Sequence, residues 1–189
     1  MPATPAADSA RYDTLAIALH WLLGAALVGL FALGFYMVDL PFSPQRLKLF
    51  NWHKWAGIVI LVLSVLRLLW RLTHPAPALH DAVVAAMPGW QLAAHQITHV
   101  AMYALFLAVP VLGWIYSSAS GFPVVVFGVL PLPDLIGVDK ALAETLKEVH
   151  ALAAWALAVL VLLHVGAALK HHFIDRDGLL QRMWPGRRA

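Results

Sequence analysis

The sequence predicts an all-α membrane protein, a single bundle of four transmembrane helices, and three observations predict it. Of the 189 residues, 61% are hydrophobic and only 12% charged, with a mean hydropathy of +0.76, far from the balance of a soluble domain. Residues 15–38, 51–70, 92–117 and 149–169 approach or exceed the roughly 20 apolar positions that cross about 30 Å of hydrocarbon. Little chain is left over for anything else, so the expected organisation is an N-terminal cytoplasmic tail over 1–14, a membrane domain over 15–172 and a C-terminal cytoplasmic tail over 173–189.

Residues 1–14 are rich in Pro and Ala and then polar, with no period that supports a packed element. The first span carries His20-Trp21 one turn inside its start and ends at Phe35-Tyr36-Met37, where interfacial aromatics belong. It is too long for a signal-peptide core and lacks the small-residue ending, so it is expected to remain as a span. Pro41 and Pro44 break the chain after it, which predicts a loop over 39–49. The second span opens with Asn51-Trp52-His53-Lys54-Trp55 and closes with Arg67-Leu68-Leu69-Trp70-Arg71. Two arginines one turn apart at a span end serve either as snorkelling anchors or as contacts to a cofactor's carboxylates or an anionic substrate.

Residues 72–90 hold Pro75, Pro77, Pro88 and Gly89 with His74 and His80 and read as an irregular loop. The third span has His95 and His99 near its start and Pro110 inside it, where a kink is expected. Residues 118–146 are long and apolar for a connection, but their Pro and Gly residues deny them a span, so they are expected to lie as an interfacial cap. Residues 139–147 lead into the fourth span, which has no formal charge and a histidine near each end, His150 and His164.

Lys and Arg near the span ends set orientation. With the N-terminus inside, Arg11, Arg67, Arg71, Lys170, Arg176, Arg182, Arg187 and Arg188 are cytoplasmic, against Arg46, Lys48, Lys54, Lys140 and Lys147 outside. Both termini are therefore expected on the cytoplasmic side. The net charge of +3 comes largely from the C-terminal tail and reports topology, not nucleic-acid binding.

His150 and His164 are 14 positions apart, about 21 Å along a helix and within about 40° of one face. Alternating span directions put His53 level with His150 on the outer side and His20 level with His164 on the inner side. Two imidazoles facing each other suit haem b, and the absence of cysteine excludes disulfides, iron–sulfur clusters and covalent c-type haem. One turn beyond the histidines, Gly24, Gly57, Ala154 and Ala168 are small enough to admit a flat macrocycle. A single membrane histidine also serves as a hydrogen-bonding or proton-relay group, and His95 with His99 forms an i,i+4 pair that suits a metal, a substrate or a satisfied interface. Zinc fits less well, because the two pairs lie too far apart to make one four-ligand site and no cysteine completes either.

The chain resembles the bacterial cytochrome b561 family of four-helix dihaem membrane proteins, which includes superoxide oxidase. The resemblance rests on Ile17-Ala18-Leu19-His20-Trp21-Leu22, on Trp52-His53-Lys54-Trp55-Ala56-Gly57, on Leu66-Arg67-Leu68-Leu69-Trp70-Arg71, on His150 with His164, and on His171-His172-Phe173-Ile174-Asp175 followed by Leu179-Leu180-Gln181-Arg182-Met183-Trp184-Pro185. It covers about residues 12–186. It implies a bundle enclosing two non-covalent b haems ligated by His20, His53, His150 and His164. It also implies superoxide as electron donor, ubiquinone as acceptor, O2 as product, and His171 as the quinone-site histidine. The competing expectation is a haem-b subunit that passes electrons between quinone and a partner dehydrogenase, hydrogenase or periplasmic cytochrome. A third is a histidine-based transporter or structural bundle, which would be colourless.

Overall fold

Side-chain caps decide where three of the long helices begin. In the computed structural model, which describes residues 11–79 and 81–186, α1 spans Thr14–Val38 and Asp13 caps it by accepting from the Ala16 N–H at 2.9 Å. Helix α2 spans Pro44–Thr73, with Ser43 accepting from the Arg46 N–H at 3.2 Å. Its start lies well before position 51, because Pro44 occupies the first helical turn, where its missing N–H and fixed φ favour the helix. The loop expected over 39–49 thus shrinks to a few residues.

The 72–90 connection contains one short helix, α3 (Asp81–Ala86), before α4 at Gly89–Ala119. His74 stacks on Trp70 with ring centres 3.6 Å apart, a local role for one loop histidine; His80 lies outside the described residues, as do positions 1–10 and Arg187 and Arg188. Helix α4 runs unbroken through Pro110. Helix α5 spans Lys140–Lys170, capped by Asp139 on the Leu142 N–H at 3.0 Å, so the lead-in expected over 139–147 is its first two turns. All four long helices are long and apolar enough to cross a membrane. Backbones pack closely in the order α1 against α2, α2 against α4, and α4 against α5. Helices α1 and α5 meet through rings, Phe31 and Phe35 each standing edge-on to Trp155.

One end of the bundle is closed by the 120–138 connection. Strands β1 (Val125–Val126) and β2 (Leu130–Pro131) form an antiparallel hairpin. Phe127 and Gly128 turn it with φ of 53° and 75°, and the glycine takes that conformation without a Cβ penalty. Val124 and Val126 point inward and are buried, while Phe127 and Val129 are exposed, the alternation of a one-faced strand. Lys54 donates to the carbonyls of Phe122 and Pro123 at 3.3 and 3.2 Å, and Trp114 to that of Pro133 at 3.1 Å, tying the cap to α2 and α4.

The opposite end carries both terminal segments. After α5 the chain makes a π-helical turn (His171–Asp175) and a 3-10 turn (Leu180–Met183). The segment over 180–186 is stitched to the start of α1. Arg11 donates to the carbonyls of Gly186 and Trp184, Tyr12 N–H to Arg182, and Trp21 Nε1–H to Met183 at 2.7 Å. Arg182 is buried and donates to the Pro77 and Ala78 carbonyls.

Candidate redox site

Two facing pairs of imidazoles stand at opposite ends of α5. At the hairpin end, His53 of α2 faces His150 of α5 with ring centres 6.3 Å apart and planes at 84°. At the terminal end, His20 of α1 faces His164 of α5 at 6.2 Å and 72°. The structure thus brings together the four histidines that depth alone paired, and brings neither pair within reach of the other.

The hairpin-end pair is set by close backbone approach. The His150 Nδ1–H donates to the Val109 carbonyl of α4 at 3.0 Å. Gly113, one turn further along α4, lets it do so, since a Cβ there would lie 3.0 Å from His150 Cε1. Gly34 of α1 plays the same part for His53, whose Cε1 would lie 3.0 Å from its Cβ. The difference is at the other nitrogen, because His53 Nδ1 is buried with no hydrogen-bond partner among the described residues. A buried ring nitrogen left in that state signals a ligand or solvent partner, since such groups are otherwise paired.

Polar groups crowd the terminal-end pair instead. Arg67 donates to the Ala16 carbonyl at 2.8 Å and sets its other nitrogen 3.4 Å from His20 Nδ1. It therefore ties α2 to α1 beside the pair, whereas Arg71 lies over Tyr12 and acts at the rim. His99 of α4 adds a third imidazole, its ring centre 5.1 Å from that of His164, held by an Nδ1–H bond to the His95 carbonyl at 2.7 Å. His95 in turn lies within electrostatic range of His171 and Arg182. His171 sits beyond the pair, in the π-helical turn, with its Nδ1 2.5 Å from Asp177 Oδ2. Gly24 and Gly57 face open space, with nothing within 4 Å of a Cβ at either.

The i,i+4 spacing of His95 and His99 marked them as candidates, but which face of α4 meets α5 is a packing outcome. Gly34 and Gly113 carried no signal beyond being glycines in spans. Asp177 was hidden by the tail reading of its segment.

A family model described as prokaryotic cytochrome b561 matches residues 11–186. The chain belongs to that family. Cytochrome b561 homolog 2 of Escherichia coli K12 is 37% identical over 174 residues, covering 92% of this chain and 90% of the relative. A probable superoxide oxidase CybB of Yersinia pestis is 32% identical over 184 residues, 95% and 98% of the two chains. Cytochrome b561 homolog 1 of Escherichia coli K12 is 32% identical over 189 residues, 94% and 99%. The family is one of oxidoreductase-type membrane cytochromes, so membrane electron transfer with b-type haem is the activity class of this multi-pass protein.

Proposed function

We propose that this chain is a dihaem oxidoreductase that takes electrons from superoxide at the hairpin end and delivers them to ubiquinone at the terminal end, with release of O2. The observation that carries it is the matched pair of imidazole pairs, at 6.3 and 6.2 Å between ring centres, at two depths of one helix. Near-equal separations at the two ends suit one group held between two imidazole nitrogens at each. His53 with His150 and His20 with His164 would each hold one b haem. The bond from His150 Nδ1–H to the Val109 carbonyl supports this, since it fixes the tautomer that leaves Nε2 for iron.

A haem held by these residues would supply one-electron redox chemistry. The chain's own residues then decide what reaches each end. At the hairpin end, Lys54 spends its charge on cap carbonyls, and Lys140 donates to the Ser120 carbonyl at 2.6 Å. Arg46 and Lys48, lying over Phe50 and Trp52, are the cations that draw a small anion inward. At the terminal end, His171 hydrogen-bonds the quinone. Two superoxide anions, one quinone and two protons balance two O2 and one quinol. Among the described residues, six cationic side chains toward the terminal end, Arg11, Arg67, Arg71, Lys170, Arg176 and Arg182, against five toward the hairpin support cytoplasmic termini in an inner membrane.

The test is superoxide decay in the presence of the purified holoprotein and ubiquinone. Decay faster than spontaneous dismutation, requiring quinone, is the expected result. A rate equal to dismutation overturns the reading in favour of a subunit that serves a partner redox protein. His171→Ala is expected to slow quinone reduction at least about tenfold while keeping the wild-type haem spectrum, and unchanged turnover removes His171 from the site.

A further inference from the structure

Resting on the quinone reading of His171, we propose that Asp177 is the positioning residue that turns His171 into a proton donor for the bound quinone. Quinone reduction consumes two protons for two electrons, so the site needs a group that can give a proton at the membrane edge. An imidazole does this only as an imidazolium, because the neutral ring that keeps its proton on Nδ1 has a bare Nε2.

The backbone after α5 is shaped to place a carboxylate on that ring. The helix widens into the π-helical turn over His171–Asp175, and π-turns in helices recur at functional sites. Arg176 and Gly178 then reverse the chain at φ of 54° and 79°. Asp177 returns to His171 with its Oδ2 2.5 Å from Nδ1, while its Oδ1 accepts from the Leu179 N–H at 3.1 Å. Both side chains are largely covered, at 18% and 13% exposure. Asp175 also approaches Nδ1, at 3.1 Å, but it is more exposed and its Oδ2 already accepts from Lys170 at 2.6 Å. From the elements packed against this turn, His95 of α4 is a titratable group within electrostatic range of His171, and Arg182 in turn lies in range of His95.

A carboxylate facing Nδ1 holds the Nδ1–H and fixes the ring's orientation, so that an imidazolium formed at the membrane edge points its Nε2–H away from the dyad. Transfer breaks the Nε2–H bond and forms an O–H bond on a reduced quinone oxygen. The ring becomes neutral with its Nδ1–H still donated to Asp177. Water at the membrane edge reprotonates Nε2 and supplies the second oxygen's proton.

The experiment mixes chemically pre-reduced, full-length holoprotein with a short-chain ubiquinone and follows haem reoxidation across about pH 5.5 to 8.5. Asp177→Asn keeps the acceptor for Leu179 but presents an amide to the ring. At neutral pH the expected result is a fall in kcat of about tenfold or more, with KM within about twofold and recovery as the pH is lowered. Asp177→Glu is expected to retain most of the rate with a displaced pH profile. It carries the test if the Asn variant loses its haem absorption. Wild-type rates and pH profile in these variants, or an effect on KM alone, overturn the proposal. A wild-type rate that falls on chelation also overturns it, since His171, Asp175 and Asp177 would then be holding a cation. Failure of the wild type to be reoxidised by quinone removes the quinone reading itself, whereas wild-type turnover with an indifferent Asp177→Asn removes only the dyad.

Discussion

The two ends of α5 present the same imidazole spacing in opposite surroundings. At the hairpin end, glycines press two backbones onto the rings, one nitrogen is tied to a carbonyl and another has no partner among the described residues. At the terminal end, a guanidinium and a third imidazole stand beside the pair, with His171 and its carboxylates beyond. A site closed by apolar residues and backbone favours an electron arriving without protons. A site among titratable groups favours an electron leaving together with protons. The difference teaches that ring separation decides what a facing pair could hold, while the neighbours decide what a group held there could exchange.

Substitutions that touch one end alone sharpen this contrast. The largest effect is expected from Gly113→Ala, because its Cβ meets the His150 ring at 3.0 Å and overpacking of this kind costs about 1–3 kcal/mol. On the dihaem proposal, the spectral component assigned to the hairpin end should shift or lose intensity while the other stays in place. A shift of both components would mean that the ends are not independent. His99→Leu is the matching change at the terminal end, expected to cost about 1 kcal/mol through its lost hydrogen bond and to move only the other component's potential. Redox titration resolves the two.

Lys54→Met tests whether the cap is a structural lid. Removing a charged donor from the exposed Phe122 and Pro123 carbonyls should cost about 0.5–1 kcal/mol and raise proteolysis of the 120–138 segment, with the haem spectrum retained. The smallest effect is at Asp13. Hydrogen bonds from the Ala16 and Leu15 N–H groups and Trp70, against a larger single opposing contribution from burial, hold its carboxyl below the ordinary value of 3.8. A depressed folded-state pKa stabilises above the unfolded value and is lost as pH falls through the folded one. Because Asp13 is exposed, Asp13→Asn should change thermal stability by only about a few tenths of a kcal/mol, and only above pH about 4. A larger loss at neutral pH would show that the cap of α1 governs the terminal end.

Much of this architecture was legible in the chain. Hydropathy located the four spans, because lipid demands long apolar helices, and alternating span direction was enough to pair His53 with His150 and His20 with His164. The long apolar connection read correctly as a cap, since its prolines and glycines deny it a span. Helix starts were less legible: Pro44 carries the same letter whether it breaks a helix or begins one, and Ser43 before it decides. The neighbours of the pairs were not legible. Gly34, Gly113 and His99 matter through the rotation of each helix about its axis. Asp177 reaches His171 only because a π-helical turn and a left-handed Arg176 fold the segment back, which no periodicity encodes.

Haem retention in the four single alanine variants tests the central account most directly. Measured as haem content and reduced-minus-oxidised spectra, His53→Ala and His150→Ala should each lose the same component, and His20→Ala and His164→Ala the other, each leaving about one haem of two per chain. Losses that cross these pairs, or a wild-type content other than about two, would contradict it.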